Sequence, residues 1–205
     1  MRKCLIIAGG QYDTISIDSD YELIIACDKG YEYSKKLGIV PNLIVGDFDS
    51  LNIDIEPDIQ VEKLPKEKDD TDTFHAIRCA LKADCEEIHI CCAMGGRMDH
   101  YVANLQSLMY LAKRGIGCQL LGADNRTYAI YNSHLTLPRE AAYLSVFSLS
   151  DISEGVSIEG AKYPLDNAVL TNDWPLGVSN EWEDDEVTVT VKAGCLAIMV
   201  CGYDH

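Results

Sequence analysis

The chain has 205 residues, enough for one large domain or two small ones with self-sufficient cores, and its 47% hydrophobic and 24% charged content excludes a disordered chain. Thirty-three Asp and Glu stand against 17 Lys and Arg, a formal charge of −16 that disfavours nucleic acid and anionic membranes as partners and favours cations and metal ions. The nine cysteines are odd in number and most lie in apolar runs such as Ile90-Cys91-Cys92-Ala93, which reads as buried thiols in a reducing compartment rather than a disulfide framework.

The chain opens with Met1-Arg2-Lys3-Cys4-Leu5-Ile6-Ile7-Ala8-Gly9-Gly10, whose apolar stretch of about five residues is too short for a signal sequence or a membrane span. It reads as a first buried strand over residues 3–8. Further short apolar runs at 22–27, 43–45, 87–93 and 118–121 alternate with helical patterns at 30–37, 73–83 and 101–114, the βαβ signature of a parallel sheet. In the second helix Phe74, Ile77 and Leu81 share one face; in the third, Leu105, Leu108, Met109 and Ala112 point inward and Gly115 ends the element. No run approaches the ~18 apolar residues of a membrane helix, so a soluble, cytoplasmic protein is expected.

After about Asn125 the pattern changes to short alternating segments at 126–131, 134–137, 142–149, 156–159, 168–170, 186–192 and 196–201. Val187-Thr188-Val189-Thr190-Val191 has strict period two, and Gly, Asn, Asp and Pro between segments are turn formers. The expected fold class is therefore α/β: a mostly parallel, Rossmann-like sheet domain over 1–124, followed by a β-sandwich over 125–205. No Pro/Gly/Ser-rich linker separates the halves, which are expected to pack tightly.

Three segments carry candidate chemistry. In Leu43-Ile44-Val45-Gly46-Asp47-Phe48-Asp49-Ser50 an apolar strand ends in two aspartates at i and i+2, which face the same way in extended chain and could converge on one hard cation. The alternative is a plain acidic turn. Position favours the cation, because ligands of open parallel sheets gather beyond the carboxyl ends of the strands. In Lys66-Glu67-Lys68-Asp69-Asp70-Thr71-Asp72-Thr73, Thr71 or Asp72 could cap the following helix, Asp72 could also ligate metal, and Lys68 could contact phosphate. In Ala93-Met94-Gly95-Gly96-Arg97-Met98-Asp99-His100 a strand ends in two glycines and opens a helix, a turn suited to anions, with Arg97 offering a fork to phosphate oxygens. The alternative there is a tight turn with Asp99 as N-cap; His100 could orient a carboxylate or be a plain surface residue.

Gly9-Gly10 and Ala26-Cys27-Asp28-Lys29-Gly30 add turns at the same sheet edge. No P-loop, dinucleotide fingerprint or serine nucleophile elbow is found, so a standard P-loop kinase, Rossmann dehydrogenase or hydrolase is disfavoured. No Cys-x-x-Cys pair or Cys/His cluster shows zinc-ligand spacing, and the five His carry no pattern.

Taken in order, Ala26-Cys27-Asp28-Lys29-Gly30, Gly46-Asp47-Phe48-Asp49-Ser50, Lys68-Asp69-Asp70-Thr71-Asp72, Gly95-Gly96-Arg97-Met98-Asp99-His100 and Gly177-Val178-Ser179-Asn180-Glu181 resemble the thiamine pyrophosphokinase family. The resemblance spans both halves. It implies transfer of pyrophosphate from ATP to thiamine, with AMP released, by a homodimer whose active sites lie between subunits. It further implies that Asp47, Asp49 and Asp72 hold Mg²⁺ and the ATP phosphates, with Asp99 nearby and Arg97 on phosphate. By the same resemblance Asp28, Lys68, Gly95 and Gly96 would belong to the nucleotide side, and Ser179 and Asn180 to the thiamine side. Lys29 departs from a second glycine that the family pattern carries. Two other readings stand beside this one: a related pyrophosphokinase acting on another heterocyclic alcohol such as a pterin, and a non-catalytic nucleotide or thiamine diphosphate sensor.

Overall fold

The computed structural model describes residues 1–15, 17, 20–48, 55–65, 69–139 and 141–202. The chain divides into two compact units, 1–107 with 116–123, and 108–115 with 124–205.

In the first unit the elements run β1 (Lys3–Ile7), β2 (Leu23–Cys27), α1 (Gly30–Lys36), β3 (Leu43–Gly46), β4 (Gln60–Lys63), α2 (Asp72–Lys82), β5 (Glu87–Cys91), the start of α3 (Met98–Ala112) and β6 (Gly117–Leu121). The strands pair in the order β6-β5-β1-β2-β3-β4, all parallel. Successive strands spread outward from β1, first to one side and then to the other. The loops after β1 and β5 therefore diverge and leave a crevice between them. Strands such as Leu5-Ile6-Ile7 and Ile88-His89-Ile90 read as near-continuous apolar runs because they are buried on both faces, as parallel sheets require.

Strand β4 has no counterpart among the predicted elements. Its sequence Gln-Val-Glu-Lys is exposed throughout, and it closes the sheet edge with charged residues, so its polarity hid it. Helix α2 begins with Thr71 as N-cap: its Oγ1 accepts from the Phe74 N–H at 3.1 Å, which decides between Thr71 and Asp72. Ala76, Ile77 and Ala80 make its buried face. Helix α3 starts three residues before the predicted boundary. Its buried residues are Asn104, Ser107, Leu108, Leu111 and Ala112, while Leu105 and Met109 are only half-buried, so the face is turned from the expected one. The reason is polar: Asn104 Nδ2 donates to the Ala93 carbonyl at 2.8 Å, a bond an apolar-periodicity count does not see.

The second unit is a sandwich of two antiparallel sheets. One has β12 (Gly177–Asn180), β9 (Tyr143–Ser148), β14 (Cys195–Cys201) and β7 (Asn125–Tyr131); the other has β11 (Leu165–Thr171), β10 (Ile152–Glu159), β13 (Glu186–Thr190) and β8 (His134–Pro138). Alternate residues of both sheets meet in one core that includes Leu144, Val146, Leu196 and Ile198 from the first and Val156, Ile158, Val187 and Val189 from the second. Trp182 is buried in this core, whereas Trp174 is exposed. Strand β12 is short and carries a register shift, so it escaped the alternation pattern. All nine cysteines are free.

Candidate active site

Within the first unit a cleft of about 530 Å³ opens at the carboxyl ends of β1, β2 and β5. Its walls come from three loops already suspected from the sequence: Ala8 to Gln11, Cys27 to Lys29, and Ala93 to Arg97. Thr71, Asp72 and Thr73, at the start of α2, close a fourth side.

The acidic side of the cleft is built on backbone that ordinary side chains avoid. Asp28, Phe48 and Cys92, just past β2, β3 and β5, all take left-handed conformations, with φ of 45°, 62° and 53°. Strain of this kind persists only where surrounding contacts over-determine it. Phe48 packs beside the core of Ala26, Tyr31, Ile44 and Ile59, and its N–H donates to Asp28 Oδ1 at 3.3 Å. Gly46 is required here, since a Cβ on it would lie 1.8 Å from Asp28 Oδ1. The last residue of β3 is thus a glycine because the Asp28 carboxyl occupies the space of its side chain.

Burial pushes the Asp28 carboxyl up to about 6, helped by a hydrogen bond with Asp72 and by the charges of Asp72 and Asp47. The Phe48 N–H pulls the other way. Protonated Asp28 can donate to the Asp72 carboxylate, so three aspartates from three separate elements are close enough to feel one another. Such crowding of hard oxygen donors is the arrangement a small divalent cation relieves. Asp72 stands in the first turn of α2, where the helix N-terminus favours negative charge, and its carbonyl accepts from the Cys27 thiol at 3.6 Å.

The opposite wall is the glycine turn into α3. Gly95 and Gly96 have φ of 80° and 70°, and a Cβ on Gly95 would lie 2.6 Å from Gln11 Oε1. The helix N-terminus that follows adds partial positive charge at the cleft. Arg97 lines it too, with its guanidinium forked onto Asp99: Nε donates to Oδ1 at 3.1 Å and Nη2 to Oδ2 at 2.5 Å. That fork, with the His100 N–H at 3.0 Å, holds the Asp99 carboxyl down at about 2. Asp99 lies inside the first turn of α3 and is not its cap.

The structure thus brings Asp28, Asp72, Gly95, Gly96 and Arg97 to one cleft, with Asp47 acting on Asp28 and Asp99 on Arg97. Asp49 and Lys68 lie outside the described residues. Ser179 and Asn180 belong to the second unit. Ser179 is exposed at a left-handed φ of 57° in the register shift of β12, with its N–H on Ser145 Oγ at 3.0 Å. Asn180 is buried: Nδ2 donates to the Tyr163 carbonyl at 2.8 Å, and Oδ1 accepts from the Tyr163 and Glu181 N–H groups, each at 3.0 Å. Its carboxamide is committed to holding two backbone segments.

Gln11, His100 and Asn104 also line the cleft and were not assigned to it from sequence. An asparagine on the inner face of an otherwise apolar helix was the signal that could have marked Asn104. His100 closes the Gly95-Gly96-Arg97-Met98-Asp99-His100 motif, which was its signal, and Gln11 had none.

Comparison with known proteins matches residues 16–120 to the thiamin pyrophosphokinase catalytic domain and residues 132–196 to the thiamin pyrophosphokinase vitamin B1 binding domain. The thiamine pyrophosphokinase of Bacillus subtilis strain 168 is 29% identical, with both chains covered in full. A crystal structure of that species' thiamine pyrophosphokinase superposes with a TM-score of 0.87 at 28% identity, covering 98% of this chain and 99% of the other. A thiamin pyrophosphokinase family protein from Enterococcus faecalis gives a TM-score of 0.83 at 26% identity, with both chains fully covered.

Proposed function

Because the chain belongs to the thiamin pyrophosphokinase family, we propose that it transfers the pyrophosphoryl group of ATP to the hydroxyethyl group of thiamine, releasing AMP. The observation within the structure that carries this reading is the cleft itself, which sets clustered carboxylates against a glycine turn and an arginine. That combination suits a polyphosphate carried with a divalent cation. Matches to both a catalytic and a vitamin B1 binding domain favour thiamine over a pterin, and an enzyme over a sensor.

Mg²⁺ fits the donor set, since carboxylate oxygens are its preferred ligands, and Asp47, Asp49 and Asp72 would hold it with Asp28 beside them. When bound it neutralises charge on the transferred phosphates and orients them. The chain's own residues do the rest. Gly95, Gly96 and the N-terminus of α3 accept the polyphosphate, and Lys68 adds a point charge. Arg97 exchanges its fork on Asp99 for phosphate oxygens, stabilising charge that grows on the β-phosphoryl group in the transition state. Asp99 keeps the guanidinium aimed into the cleft until then. Asp28, raised by burial above the ordinary carboxylate range, supports Asp72 through their shared hydrogen bond, and a carboxylate not fully committed to metal, Asp72 or Asp99, takes the hydroxyl proton of the acceptor. Ser179, exposed on the β12 bulge, serves the thiamine side, and Asn180 positions it by fixing the neighbouring backbone.

The enzyme is further proposed to act as a cytoplasmic homodimer, in keeping with its nine free thiols and the family resemblance. Among the described residues no helix is long and apolar enough to cross a membrane. Incubation with ATP, Mg²⁺ and thiamine, followed by identification of the nucleotide product, tests the proposal: AMP and thiamine diphosphate support it, ADP or no turnover overturns it. Asp47→Asn should lower kcat by at least ~10²-fold while the circular dichroism spectrum stays unchanged. Normal turnover by that variant would remove Asp47 from the metal site.

A further inference from the structure

On the flank of the first unit, outside the cleft, α2 and the edge strand β4 bring together three side chains of unlike chemistry. His75 and Cys79 lie one helical turn apart on α2, and Glu62 comes from β4. Glu62 Oε1 is 2.9 Å from His75 Nε2, and Oε2 is 3.7 Å from Cys79 Sγ. All three donor atoms lie within 4.8 Å of one another. A tetrahedral ion with metal–nitrogen and metal–oxygen bonds of about 2.0–2.1 Å and a metal–sulfur bond of about 2.3 Å would separate such donors by about 3.3–3.6 Å. The Glu62–His75 and Glu62–Cys79 spacings need shift by only a few tenths of an ångström to match, and His75 and Cys79, within 4.8 Å of each other, close on the ion by side-chain rotation. His75 and Cys79 are half-buried and Glu62 is exposed, so the cluster is reachable from solvent and one coordination position would face water.

We infer that Glu62, His75 and Cys79 form a second metal site, selective for a borderline-soft divalent cation of the zinc class and distinct from the all-carboxylate site in the cleft. One imidazole, one thiolate and one carboxylate suit Zn²⁺, Co²⁺ or Ni²⁺ and are poor ligands for Mg²⁺, whereas the metal ligands proposed in the cleft are carboxylates. The two sites therefore sort cations by hardness. The sequence shows no zinc spacing because the third ligand comes from a strand that polarity concealed and that only the sheet places beside α2.

Occupancy would also matter beyond the site. His75 is three residues from Asp72, so an ion joining β4 to α2 fixes the helix that carries a cleft carboxylate, and it anchors both ends of the connection between Lys63 and Thr71. Binding itself does not depend on the thiamine reading.

The test uses the full chain, stripped of metal, kept reduced by a phosphine and saturated with Mg²⁺ so that the cleft carboxylates are filled. Titration with Co²⁺ should load one equivalent, with the near-ultraviolet charge-transfer band of a cobalt–thiolate bond and the intense visible absorption of four-coordinate cobalt. Zn²⁺ should bleach both. Cys79→Ser should abolish the charge-transfer band, and His75→Ala and Glu62→Gln should each weaken Co²⁺ binding about tenfold or more. All three variants should keep the wild-type circular dichroism spectrum and Mg²⁺-supported turnover, which separates loss of the site from loss of the fold. The inference is overturned if the wild type shows no thiolate band, if the band survives in Cys79→Ser, or if added Mg²⁺ competes the cobalt away.

Discussion

Asp28 shows how one residue can be placed at a thermodynamic disadvantage for the sake of a site. It sits at a positive φ, loses solvent to the turn around it, and shares a hydrogen bond with Asp72. Its folded value of about 6 lies above the ordinary 3.8, so the folded chain holds the proton more tightly than the unfolded one. The stabilisation from that proton is complete below pH ~4 and is lost as pH rises through about 6. Asp28→Asn should therefore flatten the pH dependence of stability between about 4 and 6 in metal-free buffer and stabilise the protein at pH 7, by about 1–2 kcal/mol after allowing for solvent screening. Chemical denaturation across that range measures it, and a variant less stable than wild type at pH 7 would contradict the account. Turnover should fall at the same time. Asn180 is the opposite case, buried and satisfied by three hydrogen bonds, so Asn180→Ala should cost about 2–3 kcal/mol by orphaning the Tyr163 and Glu181 backbone groups.

Among the elements, the short turns matter more than the strands and helices they join. Gly46 ends β3 where a Cβ would meet the Asp28 carboxyl at 1.8 Å. Gly46→Ala should destabilise the fold by about 1–3 kcal/mol and lower kcat, because Asp28 must move for the methyl group to fit. Equilibrium unfolding and steady-state kinetics on the same preparation check both, and an unchanged kcat would show that Asp28 does not need its present position. Parallel-sheet strands, α1 and α2 were legible in the sequence because a run of apolar residues or a helical stripe is a local signal. Strands β4 and β12 were not. An exposed polar edge strand and a bulged four-residue strand gain their ladders from neighbours distant in the chain. Helix α3 was found with its face turned, since Asn104 faces inward to reach the Ala93 carbonyl.

For the whole molecule, charge is the dominant variable. A formal charge of −16 makes the folded state repel itself, most strongly at low ionic strength. Raising NaCl from about 10 to about 300 mM should raise Tm by a few degrees, as the Debye length falls from about 30 Å to below 8 Å. Millimolar Mg²⁺ should raise it further at matched ionic strength, because a ligand bound by the folded state alone stabilises by mass action. Thermal scans at constant ionic strength separate the two effects, and an identical Tm with Mg²⁺ and NaCl would argue against a specific site.

The sequence by itself determined that the chain folds as an α/β sheet followed by a sandwich, that Asp47, Gly95, Gly96 and Arg97 sit in turns that follow strands, and that Asp72 stands where a helix opens. All three follow from periodicities and turn chemistry that act over a few residues. Only the tertiary structure decided that Asp28 and Asp72 share a hydrogen bond, that Arg97 rests on Asp99, that Asn180 is a brace, and that Glu62 joins His75 and Cys79. Asp28 with Asp72 and Glu62 with His75 link residues far apart in the chain, and even the nearby pairs depend on how a turn or an edge strand is placed. Only the assembled sheet brings such groups within reach, and the strength of each interaction depends on the water it excludes.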